Sequence, residues 1–142
     1  GTYNSGIWGY IRNQNESVYY SGQKGFPSVM CSGFASDDNG NLWISSDGNG
    51  LYKVNANFQK IERINLPSAN MLSMGVSAHN NNDLIIATWG HGALKYNIRT
   101  GVCEKMRFPG IEVVNDYDIV VCRYQGKDCV GTTGDGFYVE KD

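Results

Sequence analysis

Three features of the sequence predict an all-β chain built from repeated four-stranded antiparallel sheets. A glycine-containing turn feeding an apolar strand occurs four times, at Asn4-Ser5-Gly6-Ile7, Gly48-Asn49-Gly50-Leu51, Gly90-His91-Gly92-Ala93 and Gly134-Asp135-Gly136-Phe137. The steps from Gly6 to Gly50, Gly92 and Gly136 are 44, 42 and 44 residues. A period of about 40–45 residues made only of strands and turns is that of β-propeller blades. Between these turns, strand-like runs alternate with polar tips, and no stretch sustains helical periodicity.

The clearest unit runs from Val29 to Leu66. Its inner strand is Val29–Ala35, followed by the tip Asp37-Asp38-Asn39-Gly40, whose Asn-Gly pair is the strongest short hairpin signal. Asn41–Ser46 is the second strand and Gly50–Val54 the third. Lys60–Leu66 alternates polar with apolar residues, as an outer strand with one wet face should. In the second strand, consecutive Leu42, Trp43 and Ile44 point to opposite faces, so both faces must be covered. Stacking between neighbouring blades would cover them.

The next unit repeats the order with Met71–Ala78, the polar Asn80–Asp83, Leu84–Trp89, Ala93–Asn97 and Cys103–Phe108. Another begins at Val113–Cys122, turns at Gln125-Gly126, continues through Cys129–Thr132 and stops with Phe137–Glu140. Ahead of all these, Ile7–Ile11 and Val18–Tyr20 read as the third and fourth strands of a preceding blade. The expected division is a half blade over 1–22, blades over 28–66 and 71–108, and an incomplete blade over 113–140. This makes about three blades of a larger or self-completed propeller.

Composition narrows the function classes. Twelve basic and fourteen acidic residues leave a net charge of -2 with no Lys/Arg run, which argues against a nucleic-acid or acidic-membrane partner. No apolar run approaches the ~18 residues of a membrane helix, so this segment is not expected to insert directly. The sequence starts in mid-pattern, as a piece of a longer protein would. Cys31, Cys103, Cys122 and Cys129 form no zinc-ligand spacing. Cys122 and Cys129 flank Arg123–Asp128, which reads as a hairpin tip. They are either a disulfide, which needs an oxidising compartment, or two small buried residues facing each other.

At the second strand and its glycine turn a family resemblance becomes specific. Asp37-Asp38-Asn39-Gly40-Asn41-Leu42-Trp43-Ile44-Ser45-Ser46-Asp47-Gly48-Asn49-Gly50-Leu51, continuing to Asn55, resembles the two-component regulator propeller repeat. The copies at Asp83–Gly92 and Asp128–Gly136 are weaker, with Ile85 and Cys129 where Trp43 stands. The first copy has Ser45-Ser46 where Gly-Thr is usual, and Gly131-Thr132 keeps the usual pair. The resemblance implies the periplasmic or extracellular sensor region of a hybrid two-component regulator of the Bacteroides type. That region is membrane-anchored, and the histidine kinase lies elsewhere in the full-length protein. Many such sensors respond to oligosaccharides. Similar propellers occur in envelope secretion components and in streptogramin-lyase-like enzymes, so structural and enzymatic readings stand as alternatives.

The candidate chemistry is that of a binding surface. Glycine turns flanked by strands are not the strand–turn–helix of a dinucleotide site, and no cofactor is expected. Asp37, Asn39 and Asn41 have the opening spacing of an EF-hand, but Leu42 and Gly48 stand where Gly and Glu are required; no metal is expected. His79 reads as a hydrogen-bonded residue ending an inner strand, and His91 as a residue inside a glycine turn. No nucleophile turn or carboxylate pair points to catalysis, so the chain itself is not expected to be an enzyme. Trp43, at the repeat's own tryptophan position, reads as packing. Trp89 falls where the sibling blades place Asp47 and Thr133, both polar, and is a candidate stacking platform for a sugar ring; packing against a neighbouring blade is the competing role.

In a propeller, loops between second and third strands emerge with the connections between blades. Trp89, His91, Asp47, Asn49 and Asp135 are therefore the candidate ligand-binding residues, with Thr133, Phe26, Ser68, Asn70 and Glu112 expected nearby. Further blades of the same protein, or another copy of the chain, are the expected partners besides the ligand. In a two-chain closure, Val113–Cys122 and Cys129–Thr132 of one copy would combine with Ile7–Ile11 and Val18–Tyr20 of the other.

Overall fold

The computed structural model describes residues 6–20, 26, 30–67, 71–108 and 116–141. Thirteen strands form four antiparallel sheets, with no helix among the described residues. The first sheet pairs β1 (Ile7–Ile11) with β2 (Glu16–Tyr20). The second runs β3 (Met30–Ser36), β4 (Leu42–Asp47), β5 (Gly50–Val54) and β6 (Ile61–Ile64) in spatial order. The third repeats this with β7 (Leu72–Ala78), β8 (Asp83–Trp89), β9 (Leu94–Asn97) and β10 (Cys103–Lys105). The fourth has β11 (Asp118–Tyr124), β12 (Lys127–Thr132) and β13 (Phe137–Val139). These up-and-down sheets are propeller blades, as the glycine period predicts.

Each inner strand carries a β-bulge at the same place, between Cys31 and Gly33, between Ser73 and Gly75, and between Asp118 and Val120. A bulge adds a residue to one strand and sharpens its twist. Just after it, successive inner strands meet almost backbone to backbone. A Cβ on Gly33 would lie 3.1 Å from Val76 N and 3.2 Å from Gly75 Cα. The small residue then changes sides. Gly33 pairs with Ser45 and Gly75 with Ala87, but Val120 pairs with Gly131, where a Cβ would come within 2.6 Å of Val120 Cγ1.

Among the described residues the core is three apolar clusters, each between consecutive sheets. Ile7 and Tyr20 pack with Ile44, Tyr52, Val54 and the fully buried Phe26. Trp43 and Leu51 pack with Val76, Leu84, Ile86, Leu94 and Tyr96. Ile85, Ala87, Ala93 and Phe108 pack with Val121 and Val130. Strand alternation explains the division: Trp43 and Ile85 face the following sheet, while Ile44 and Ile86 face the preceding one. Both faces are covered, as the run Leu42-Trp43-Ile44 demands.

Several strand limits differ from the sequence expectation. The outer strands shorten to Ile61–Ile64 and Cys103–Lys105, because Leu66 and Phe108 leave the ladder to join the core clusters. The Gln125-Gly126 turn has both residues at positive φ, 49° and 79°, and the ladder runs right up to it through Tyr124↔Lys127. The hairpin tip is therefore two residues, shorter than the Arg123–Asp128 tip expected. The expected starts Val29 and Val113 lie outside the described residues.

Candidate functional site

The turns between second and third strands share a design. Both glycines of each, Gly48 and Gly50, Gly90 and Gly92, Gly134 and Gly136, hold positive φ, the region where an L side chain is strained. Gly92 is required for a second reason: a Cβ there would stand 2.9 Å from Lys105 Cε and 3.0 Å from Asp116 Oδ1. That crowding marks where the next blade's entry segment presses on the turn. Gly90 and Gly92 both donate their backbone N–H to the Asp116 carbonyl at 2.9 Å. Thr133 N–H donates to the Tyr117 carbonyl at 2.9 Å. Asp116-Tyr117 is thereby threaded between the turns of two blades.

This threading brings Tyr117 against Trp89. The two rings meet edge to face, centroids 5.0 Å apart at 66°, and Trp89 and Tyr117 also form an isolated β-bridge. Trp89 stays 40% exposed and Tyr117 45% exposed. Beside them, Lys105 Nζ reaches Asp116 Oδ1 at 2.5 Å. Asp118 lies buried beneath the surface pair; burial first, then the nearby Asp116 charge, pushes its carboxyl up to about 6 against the pull of Lys105. The result is an aromatic shelf edged by an ion pair, with an acid under it that changes charge near pH 6.

Of the residues singled out from sequence, Trp89 and His91 share this turn, and His91 is exposed at its tip. Asp135 is exposed on the following blade's turn, where its N–H donates to Thr132 Oγ1 at 3.2 Å. Asp47 and Asn49 sit on the preceding blade's turn, where the Asn49 carbonyl accepts from Arg63 Nε at 3.1 Å. Phe26 is not on this surface at all: its ring is buried against Tyr52, 5.3 Å away, because an apolar ring beside that cluster gains more from burial than from water. Ser68, Asn70 and Glu112 lie outside the described residues. Tyr117 and Asp116 escape a sequence reading because they contact the Trp89 turn only through the blade-to-blade approach.

A second polar cluster joins the third and fourth sheets at their other end. His79 Nδ1 bonds the Asp128 carboxylate, Arg123 Nη1 reaches Asp128 Oδ1 at 2.9 Å, and Lys95 Nζ stands 3.3 Å from His79 Nε2. Ligand atoms of His79, Asp128 and Glu140 lie within 4.8 Å of one another. Arg123 and Lys95 already supply positive charge there, so the group works as an inter-blade clamp around the buried Asp128. His79 is thus hydrogen-bonded at its strand end. At the Asp37–Asn41 hairpin tip, Asp37 accepts from Asn39 N, Asn41 N and the Trp43 indole at 2.9–3.0 Å. A cavity of about 590 Å³ opens elsewhere, on the apolar outer face of the fourth sheet.

No protein-family model matches the sequence, and none of the curated proteins matches it. Solved structures do. The extracellular domain of a hybrid two-component system from B. thetaiotaomicron superposes with a TM-score of 0.74 at 17% identity, over 99% of this chain and 18% of that one. A second such domain from the same organism gives 0.73 at 18% identity, over 100% of this chain and 19% of that one. The fold is that of a β-propeller segment. It is also shared with virginiamycin B lyase from Staphylococcus aureus, with a TM-score of 0.65 at 11% identity, over 96% of this chain and 48% of that one. The chain spans less than a fifth of the length of the extracellular domains it matches.

Proposed function

We propose that this chain is a ligand-sensing propeller segment in the periplasmic or extracellular part of a membrane-anchored signal-transduction sensor, and that its ligand is an oligosaccharide. The observation that carries the reading is the Trp89–Tyr117 shelf, two large rings held half-exposed at the turn end of the blades. A sugar ring presents a C–H face that packs on an aromatic ring and hydroxyls that hydrogen-bond its rim. Asp116, Lys105 and His91 offer both donors and acceptors at that rim. The mixed signs suit a neutral, hydroxyl-rich ligand better than a phosphate. The fold shared with extracellular sensor domains supports the location and the signalling role.

The role is binding, without catalysis by this segment. The lyase that shares the fold keeps an enzymatic reading in view, with a structural or secretion-related propeller as the other rival. A glycan array probed with the 142-residue chain tests the proposal. Binding of a defined oligosaccharide class, weakened about fivefold or more by Trp89→Ala and by Tyr117→Ala, is the expected result; one stacking contact is worth roughly 1 kcal/mol. Binding indifferent to both substitutions would remove the shelf from the site. Turnover of the bound glycan would transfer the chain to the enzyme class.

A further inference from the structure

We propose that Cys122 and Cys129 are a thiol pair that closes into a cross-strand disulfide on the outer face of the fourth sheet. The two cysteines are direct register partners on β11 and β12. The tight Gln125-Gly126 turn three residues beyond Cys122 pins that register. Directly opposed residues on antiparallel strands point to the same face, with Cα atoms about 4.5 or 5.5 Å apart. Both spacings fall inside the roughly 4.4–6.8 Å that a disulfide spans. Burial first, then the neighbouring Cys122 thiol, hold Cys129 above the ordinary cysteine value.

The pairing is particular to this sheet. The same register position holds Ala35 opposite Trp43 in the second sheet and Ser77 opposite Ile85 in the third. There one large apolar side chain fills the space toward the next blade. In the fourth sheet two cysteines replace that plug, and a cystine is the compact apolar unit they can make together. The other two cysteines face different residues in register: Cys31 pairs with Ser46 and Cys103 with Tyr96. Access is also right, since Cys122 is exposed and both residues line the open 590 Å³ groove.

The oxidant is a second disulfide, R–S–S–R, of the kind that thiol–disulfide exchange uses in oxidising compartments. Cys122 loses its proton and attacks one sulfur, forming a Cys122–S–S–R bond and releasing one R–S⁻. Cys129, deprotonated in turn, attacks the Cys122 sulfur and expels the second R–S⁻. Two thiols are oxidised by two electrons, one R–S–S–R is reduced, and the two released protons yield two R–SH. None of this depends on the proposed sugar site or on the compartment, because the reaction can be run on purified chain.

The test is incubation of the reduced chain with excess oxidised glutathione, followed by thiol titration and tryptic mapping. Trypsin cuts after Arg123 and Lys127 and so places the two cysteines on separate peptides, 108–123 and 128–141. The expected result is a fall from four titratable thiols to two, with those two peptides linked to each other. Cys129→Ser should stop the reaction at a glutathione adduct on Cys122, and Cys31→Ser should leave the linked pair unchanged. Four persisting thiols, a stable adduct on Cys122 of the unsubstituted chain, or a link involving Cys31 or Cys103 would overturn the proposal.

Discussion

The second and fourth sheets place residues at the same register and treat them oppositely. Leu51 and Phe137 each follow the second glycine of their turn, yet Leu51 is fully buried and Phe137 is 74% exposed. Trp43, 1% exposed, is roofed by the third sheet, and Cys129 in its place lies on an open groove. The difference lies in the neighbour: a following sheet covers one, and no described sheet covers the other. A blade is thus half of an interface on each face, and its apolar pattern records which faces are meant to be covered. The first sheet repeats the lesson at the other end, where Trp8 and Tyr10 stand exposed at the positions of buried Tyr52 and Val54.

This contrast can be broken by paired substitutions. Trp43→Ala should cost roughly 3–5 kcal/mol, the range for emptying a packed aromatic site, whereas Phe137→Ala should stay within about 0.5 kcal/mol, both read from urea unfolding of dilute, monomeric chain. Equal losses at the two positions would mean that the fourth sheet is covered. Asp37→Ala should cost less than Trp43→Ala, about 1–3 kcal/mol, because it leaves the buried indole N–H without its 2.9 Å acceptor. Lys53, 5.3 Å above the same ring, would keep part of the indole's environment.

The two sheets should also differ in their response to pH. Asp37 is partly desolvated, but hydrogen bonds from Asn41, the Trp43 indole and the backbone hold its carboxyl below the ordinary value. Its contribution is therefore present above about pH 4 and lost as pH falls further. Asp118 does the reverse. The folded chain keeps its proton up to about pH 6, while the unfolded chain releases it near 4. Its contribution is present below about pH 4 and is lost as pH rises to about 6. Asp118→Asn should flatten the upper window and leave the lower one, measured as unfolding midpoints between pH 3 and 7, roughly the span of both titrations. An unchanged slope between about pH 4 and 6 would show that another group titrates there.

Local pattern made the blades legible, and tertiary approach hid the rest. Glycine spacing and strand alternation yield the sheet order, the turns and the packing role of Trp43, since each is a property of a dozen neighbouring residues. The bulges at Gly33, Gly75 and Val120 leave no such mark, because a bulge answers the inner strand of the next blade. The shelf was half legible. Trp89 stands out as an aromatic where its siblings are polar, but Tyr117 joins it from 28 residues away, held there as Gly90 and Gly92 bond the adjacent Asp116 carbonyl. The clamp of His79 and Asp128 is likewise built across two sheets, and Phe26 was misplaced because an isolated aromatic carries no sign of the core it enters.

The claim that an uncovered blade face is an unfilled interface is tested most directly by static light scattering of the 142-residue chain. At tens of micromolar the chain should self-associate, burying Phe137, Val120 and Tyr124 of one copy against another, and Phe137→Asp should return it toward monomer. A strictly monomeric species at that concentration, with those side chains still in water, would contradict the account.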